Sequence, residues 1–143
     1  MSRYLLDTNV LSNPTKPLPS PSLLSWTAQQ DVEDTFIASV TVAEIWRGVR
    51  ERPTGKRRTE LEHWFFGPTG PLSAFAGRIL PFDEKSALIW GRLMAEGTAA
   101  GRSRSAFDML LAAIAEANDC ILVTGNEKHF AGLKFINPMR PVG

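Results

Sequence analysis

The sequence predicts a three-layer α/β/α fold with a mainly parallel central sheet, and two observations carry that prediction. Short apolar runs at 3–6, 35–40, 78–82 and 120–124 alternate with stretches whose apolar residues recur at helical spacing. The chain of 143 residues can bury one core but is too short for two independent ones, so residues 1–143 read as a single domain.

The elements follow in order. Residues 3–6 form the first expected strand, then a polar turn at Thr8-Asn9 and a loop over 13–21 that carries Pro14, Pro17, Pro19 and Pro21. Leu23, Leu24 and Trp26 lie in a helix of moderate amphipathicity that begins at Ser22 and ends near the polar run 29–34. Residues 35–40 form the second strand. Val42, Ile45, Trp46 and Val49 then repeat at i, i+3, i+4 and i+7, a helical stripe ended by Pro53 and Gly55. The span 56–77 has a helical signal in Leu61, Trp64 and Phe65, broken by Gly67, Pro68, Gly70 and Pro71. Residues 78–82 are the third strand, and Asp83 is the expected N-cap of a helix bearing Ala87, Leu88, Trp90, Leu93 and Met94, closed over 97–101. Phe107, Leu110, Leu111, Ile114 and Ala115 mark the next helix. A strand at 120–124, a short polar helical segment and a last strand near 134–136 complete the chain. Of the four tryptophans, Trp26, Trp46, Trp64 and Trp90, most are expected in the core, with one or two left to line a partner's groove.

Composition narrows the class. With 43% apolar and 22% charged residues the chain reads as a soluble globular protein, and no stretch approaches the roughly 20 apolar residues of a membrane span. The apolar run after Arg3 is broken by Asp7, so no signal peptide is expected, and lone Cys120 forms no internal disulfide; the expected location is cytoplasmic. A net charge of +1 is uninformative, but its distribution is uneven. Arg47, Arg50, Arg52, Lys56, Arg57 and Arg58 face a single acid, Glu51, and Arg102 and Arg104 precede Asp108. Such patches attract phosphate backbones when they are not simply solvated faces, which makes Arg47, Arg50, Arg102 and Arg104 candidate nucleic-acid contacts.

Three carboxylates fall where strands end or helices begin. Asp7 follows Tyr4-Leu5-Leu6, Thr41-Val42-Ala43-Glu44 has the capping-box form, and Ser105-Ala106-Phe107-Asp108 the related S-x-x-D form. Capping and turn formation explain each acid singly. They do not explain why one sheet edge should gather all three, where like charges about 4 Å apart repel by roughly 4 kcal/mol at an effective dielectric near 20. Such a cluster takes up protons or binds a cation. Oxygen ligands without a partnering cysteine favour magnesium or manganese, and His63 and His129 lack zinc-ligand spacing. On this reading Asp7 and Asp108 hold the ion, while Glu44 either completes its outer sphere or orients and deprotonates the attacking water.

Leu5-Leu6-Asp7-Thr8-Asn9-Val10, Val42-Ala43-Glu44-Ile45-Trp46-Arg47-Gly48, Leu111-Ala112-Ala113-Ile114-Ala115 after Asp108, and Ile121-Leu122-Val123-Thr124-Gly125-Asn126 together resemble a PIN domain. More narrowly they resemble the VapC or FitB-like toxins of bacterial toxin-antitoxin pairs. The resemblance implies a PIN-like fold and a magnesium- or manganese-dependent endoribonuclease acting on RNA, commonly a homodimer, held inactive by a small antitoxin that inserts a segment near the acidic pocket. Asp7, Glu44 and Asp108 match the family's first three acids. The fourth departs, because Asn126 stands where many members place aspartate, with Glu127 and His129 close by; asparagine can bind a metal-bound water but brings no charge. Thr124 either orients a neighbouring carboxylate or water, or is an ordinary strand-end threonine. Two other functions stay open: a PIN-like module that binds RNA or a partner without turnover, and a receiver-like signalling domain. Receivers need a second acid beside the first, whereas Thr8 and Asn9 follow Asp7, and Asp83 is explained as an N-cap.

Overall fold

The computed structural model describes residues 2–140. Its sheet has five parallel strands, β1 (Arg3–Leu6), β2 (Thr35–Ala38), β3 (Ile79–Leu80), β4 (Cys120–Val123) and β5 (Phe135–Ile136), in the order β3-β2-β1-β4-β5. Leu6 pairs with Val123 and Leu5 with Phe36, so β1 is the centre of the sheet. The strand order reverses between β1 and β4, and the crevice beyond the carboxyl ends of these two strands is where open parallel sheets bind ligands.

Side chains along a strand alternate between faces, and here the alternation divides the core in two. Leu5, Ala38 and Leu122 enter one cluster, with Leu93 of α6 (Glu84–Ala99) and Met109, Leu111, Ala113 and Ile114 of α7 (Ala106–Ala117). Leu6, Ile37 and Val123, each the next or preceding residue, enter the other, with Val10 of α1 (Thr8–Ser12) and Leu23 of α2 (Pro21–Ala28). Both faces are covered, which is why the strands read as continuous apolar runs.

Helix α3 (Ser39–Arg50) corrects the expected boundary. The second strand stops at Ala38, not at Val40, and the chain turns directly into the helix with Ala38 as an N-cap that offers no side-chain bond. Thr41 therefore lies inside the first turn and is 2% exposed, and Glu44 sits in the second turn, so no capping box exists there. Val40, Thr41 and Val42 favour strand by propensity, but the buried packing of Thr41 and Val49 decides for helix. Two other caps form as expected: Ser105 Oγ accepts from Asp108 N at 3.2 Å, and Asp83 Oδ1 accepts from Ser86 N at 2.9 Å. The turn after the first strand is a short helix, α1, rather than a simple turn.

Residues 56–77 resolve into α4 (Lys56–Phe66) and α5 (Pro71–Ala74). Gly70 joins them where a Cβ would lie 2.2 Å from the Trp64 carbonyl oxygen, so only glycine fits. Helix α4 packs on α3 through Trp46, whose ring centroid is 4.8 Å from Phe65 and 5.1 Å from Phe66. The tryptophans are less buried than expected: Trp64 is 40% exposed, and Trp26, Trp46 and Trp90 are half-buried.

Candidate active site at the carboxyl edge of the sheet

Asp7 leaves β1 at the point where the strand order reverses, and its side chain is only 9% exposed. Three donors fix it. Oδ1 accepts from Thr8 N at 2.7 Å, and Oδ2 accepts from Asn9 Nδ2 at 3.0 Å and from Thr124 Oγ1 at 2.8 Å. Thr124, fully buried at the end of β4, also accepts from Asn126 N at 3.0 Å, and Asn9 Oδ1 accepts from Gly125 N at 2.9 Å. The two central strands are thus laced together around one carboxylate. No lysine or arginine is paired with it among the described residues. Burial raises the Asp7 pKa above 3.8; the bonds from Thr124, Thr8 and Asn9 oppose that rise, and the charge of nearby Asp108 adds to it.

Glu44 reaches the same edge from α3, where its Oε1 accepts from the hydroxyl of Thr8. Asp108, in the first turn of α7, is half-buried and its Oδ2 lies 3.1 Å from His129 Nδ1. The three acids therefore share one rim, with Thr8 between Asp7 and Glu44. They do not close into a three-ligand cage: among the described residues no three Asp, Glu, His or Cys side chains stand close enough together to hold an ion. Glu44 is one turn further along its helix than a capping box would put it and is drawn to Thr8, while Asp108 is drawn to His129. Asp108 is near enough to Asp7 for its charge to raise the Asp7 pKa, while Glu44 is engaged with Thr8. An uncompensated buried carboxylate with a second carboxylate nearby suits a hydrated hard cation, since magnesium is typically held by one or two carboxylates and keeps several waters.

Around this core the remaining sequence candidates divide. Asn126 is exposed at the rim and tethered through its backbone N–H to Thr124. Glu127 turns away, its two oxygens accepting from Asn137 Nδ2 and Arg140 Nη2, each at 2.7 Å. Much of the basic stretch on α3 and α4 is ion-paired, although its six cations share three carboxylates, Glu51, Glu60 and Glu62, and Arg52 is in no pair among the described residues. Arg47 pairs with Glu51 at 3.0 Å, Arg50 and Arg58 with Glu62 at 3.3 and 3.0 Å, and Arg57 with Glu60 at 3.7 Å. Glu60 and Glu62 lie just beyond the stretch in sequence and fold back along α4, which a count ending at Arg58 overlooks. Arg104 is a structural residue in part: its Nη1 donates to Leu93 O at 2.5 Å, across Gly97, where a Cβ would lie 2.7 Å from Arg104 Cδ. Arg102 stays near Asp108 in an open cleft. Sequence reasoning missed Thr8 and Asn9 as site residues and saw in His129 only a neighbour; the signal was the run of three polar residues, Asp7-Thr8-Asn9, directly after a buried strand, whose side chains need partners in the turn and on the neighbouring segments.

Residues 4–136 match the PIN domain family over nearly the whole fold just described. The chain belongs to the PIN domain family. Among curated relatives, this PIN domain is 37% identical over 139 residues to the protein named VapC ribonuclease Y4jK of Sinorhizobium fredii, covering 96% of this chain and 98% of the relative. It is 35% identical over 136 residues to Toxin FitB of Neisseria gonorrhoeae, covering 94% of this chain and 96% of the relative. Among solved structures, FitAB bound to an IR36 DNA fragment superposes with a TM-score of 0.87 at 32% identity, over 98% of both chains. FitAcB from Neisseria gonorrhoeae superposes with a TM-score of 0.84 at 34% identity, over 94% of this chain and 97% of that one.

Proposed function

We propose that this PIN domain is a magnesium- or manganese-dependent endoribonuclease, the toxin of a type II toxin-antitoxin pair, which hydrolyses RNA phosphodiester bonds with water as nucleophile. One observation carries the reading: a buried carboxylate, Asp7, is fixed by three donors and left without a cationic partner at the strand-order reversal, beside Asp108. The naming of close relatives as VapC ribonuclease and Toxin FitB supports the reaction class and the toxin role.

Held by Asp7 and Asp108, the ion would supply a more acidic water and offset charge building on the phosphodiester. The chain's own residues do the rest. Thr8 N, Asn9 and Thr124 hold the Asp7 carboxylate in one orientation, so no rotamer search precedes binding. Glu44, set by the Thr8 hydroxyl, orients the attacking water and takes its proton as the new P–O bond forms and the bond to the leaving ribose oxygen breaks. Asn126 supplies a neutral amide at the rim for a water or phosphate oxygen. The same reading makes a cognate antitoxin and a second copy of the chain its protein partners, in the cytoplasm.

The test is direct. Purified protein should cut RNA with magnesium or manganese and stop in EDTA, and Asp7→Asn and Asp108→Asn should each lower the rate by about a hundredfold or more. Undiminished cutting in EDTA, or by both variants, overturns the proposal. Metal binding without turnover on any RNA would instead favour a non-cleaving RNA- or partner-binding module, the reading that Asn126 in place of an acid supports.

A further inference from the structure

Beside Asp108 lies a cleft of about 290 Å³ lined by Arg102, Ser103, Arg104, Ser105, Lys128 and His129 as well as Asp108 itself. Two loops make it: residues 101–105, which lead into α7, and the stretch after β4 that carries Lys128 and His129. They meet closely, since a Cβ on Gly132 would stand 3.4 Å from Arg102 Nη1. His129 ties the second loop to the rim through its 3.1 Å approach to Asp108.

The charges in this cleft differ from those of the basic stretch on α3 and α4. There five of the six cations, Arg47, Arg50, Lys56, Arg57 and Arg58, have carboxylate partners, and Arg52 has none among the described residues. Among the described residues Arg102 and Lys128 have none, and the one acid in the cleft, Asp108, is engaged by His129. Two exposed, unneutralised cations therefore flank one end of the acidic rim. An unpaired surface cation is commonplace, but two from separate segments that line one cleft, next to a carboxylate of the site, make that end of the cleft cationic. The adjacent hydroxyl of Ser103 adds a donor, while Arg104 is held back by its bond to Leu93.

We infer that this cleft is a backbone subsite: Arg102 and Lys128 bind a phosphate of the RNA strand next to the one placed at Asp7 and Asp108. The inference rests on the ribonuclease reading for the identity of the strand, and it assigns polynucleotide positioning to this cleft rather than to the basic stretch of α3 and α4. Phosphate binding of this kind sets register along the strand and carries no base preference. His129 is a positioning residue, holding the second loop against the rim.

The experiment measures binding apart from cleavage. Fluorescence anisotropy with a short single-stranded RNA of mixed sequence, in EDTA, is recorded against salt for wild type, for Arg102→Gln/Lys128→Gln and for Arg47→Gln/Arg50→Gln. Each cation withdrawn from a phosphate lowers the slope of log affinity against log salt by about 0.7 on a single strand, so the first pair should reduce it by about 1.4 and weaken binding about tenfold at low salt. The second pair should keep the wild-type slope. An unchanged slope in the first pair, or an equal reduction in the second, overturns the subsite. Circular dichroism melts confirm that both pairs fold. The two readings fail separately: RNA bound with the expected slope but never cut sinks the ribonuclease and leaves the subsite, whereas cutting at wild-type KM by Arg102→Gln/Lys128→Gln sinks the subsite and leaves the ribonuclease.

Discussion

Asp7 is buried enough to hold its proton more tightly than a solvated carboxyl does, and bonded well enough to stay in place. Its raised pKa has a definite consequence for stability. The folded chain holds the Asp7 proton more tightly than the unfolded chain does, so the contribution from this group is complete below pH 3.8 and is lost as pH rises through the elevated folded value. Asp83, whose carboxylate accepts a backbone N–H at the start of α6 and whose pKa is lowered, works in the opposite sense. The difference between wild type and Asp7→Asn isolates the first effect: in chelator, the Tm of the variant relative to wild type should climb by a few degrees from about pH 4 to pH 7. Melting curves that run parallel across that range would show the carboxylate to be solvated. A second residue carries a plainer cost. Thr124 Oγ1 both donates to Asp7 and accepts from Asn126 N while fully buried, so Thr124→Val strands two partners and should destabilise by about 1–3 kcal/mol, read by urea denaturation.

The helices that deliver Glu44 and Asp108 look alike in sequence, a hydroxyl residue three positions before an acid, yet only one uses that pattern as a cap. Ser105→Ala removes a real N-cap from α7 and should cost about 1 kcal/mol. Thr41→Val, inside α3, removes no cap, so any cost there comes from its buried packing; loss of a bond to the Glu44 backbone N–H, read by amide hydrogen exchange, would restore the capping box at Thr41. This pair also marks how far elements were legible. Periodicity located α3, α6 and α7, since Val42, Ile45, Trp46 and Val49 share one face whatever the first residue of the helix is. It did not fix where β2 yields to α3, because Val40 and Thr41 suit either state and burial makes the choice. The pairing of Arg50 with Glu62 was equally hidden, for it depends on how α4 lies against α3, whereas Arg58 with Glu62 is an i, i+4 pair within α4 that local spacing does record.

At the scale of the molecule, strand order gives the acids their meaning. Alternating strands and helices foretold a parallel sheet, and an acid after the first strand foretold a carboxylate at its edge, but the reversal between β1 and β4 needs the order β3-β2-β1-β4-β5, which the sequence does not state. The reversal sets Asp7, with its raised pKa, near Asp108, and a divalent ion held there, as proposed, would have a measurable global effect. A ligand that binds only the folded state stabilises by RT ln(1 + [L]/Kd), about 2.7 kcal/mol at one hundred times Kd, which should raise the Tm of a domain this size by roughly 5–10 °C. Manganese titrated into the wild type should produce that rise by differential scanning fluorimetry. Asp7→Asn and Asp108→Asn should each abolish most of it, whereas Asp83→Asn, on an exposed carboxylate that only caps α6, should leave it intact. The control matters because manganese binds acidic surfaces weakly and without selection. If all three variants keep the rise, the ion is held by general surface charge, and the buried carboxylate at the end of β1 is an element of the fold alone. If only the two rim variants lose it, the ion is held where the strand order turns, and the stability of the whole domain reports on the occupancy of that edge.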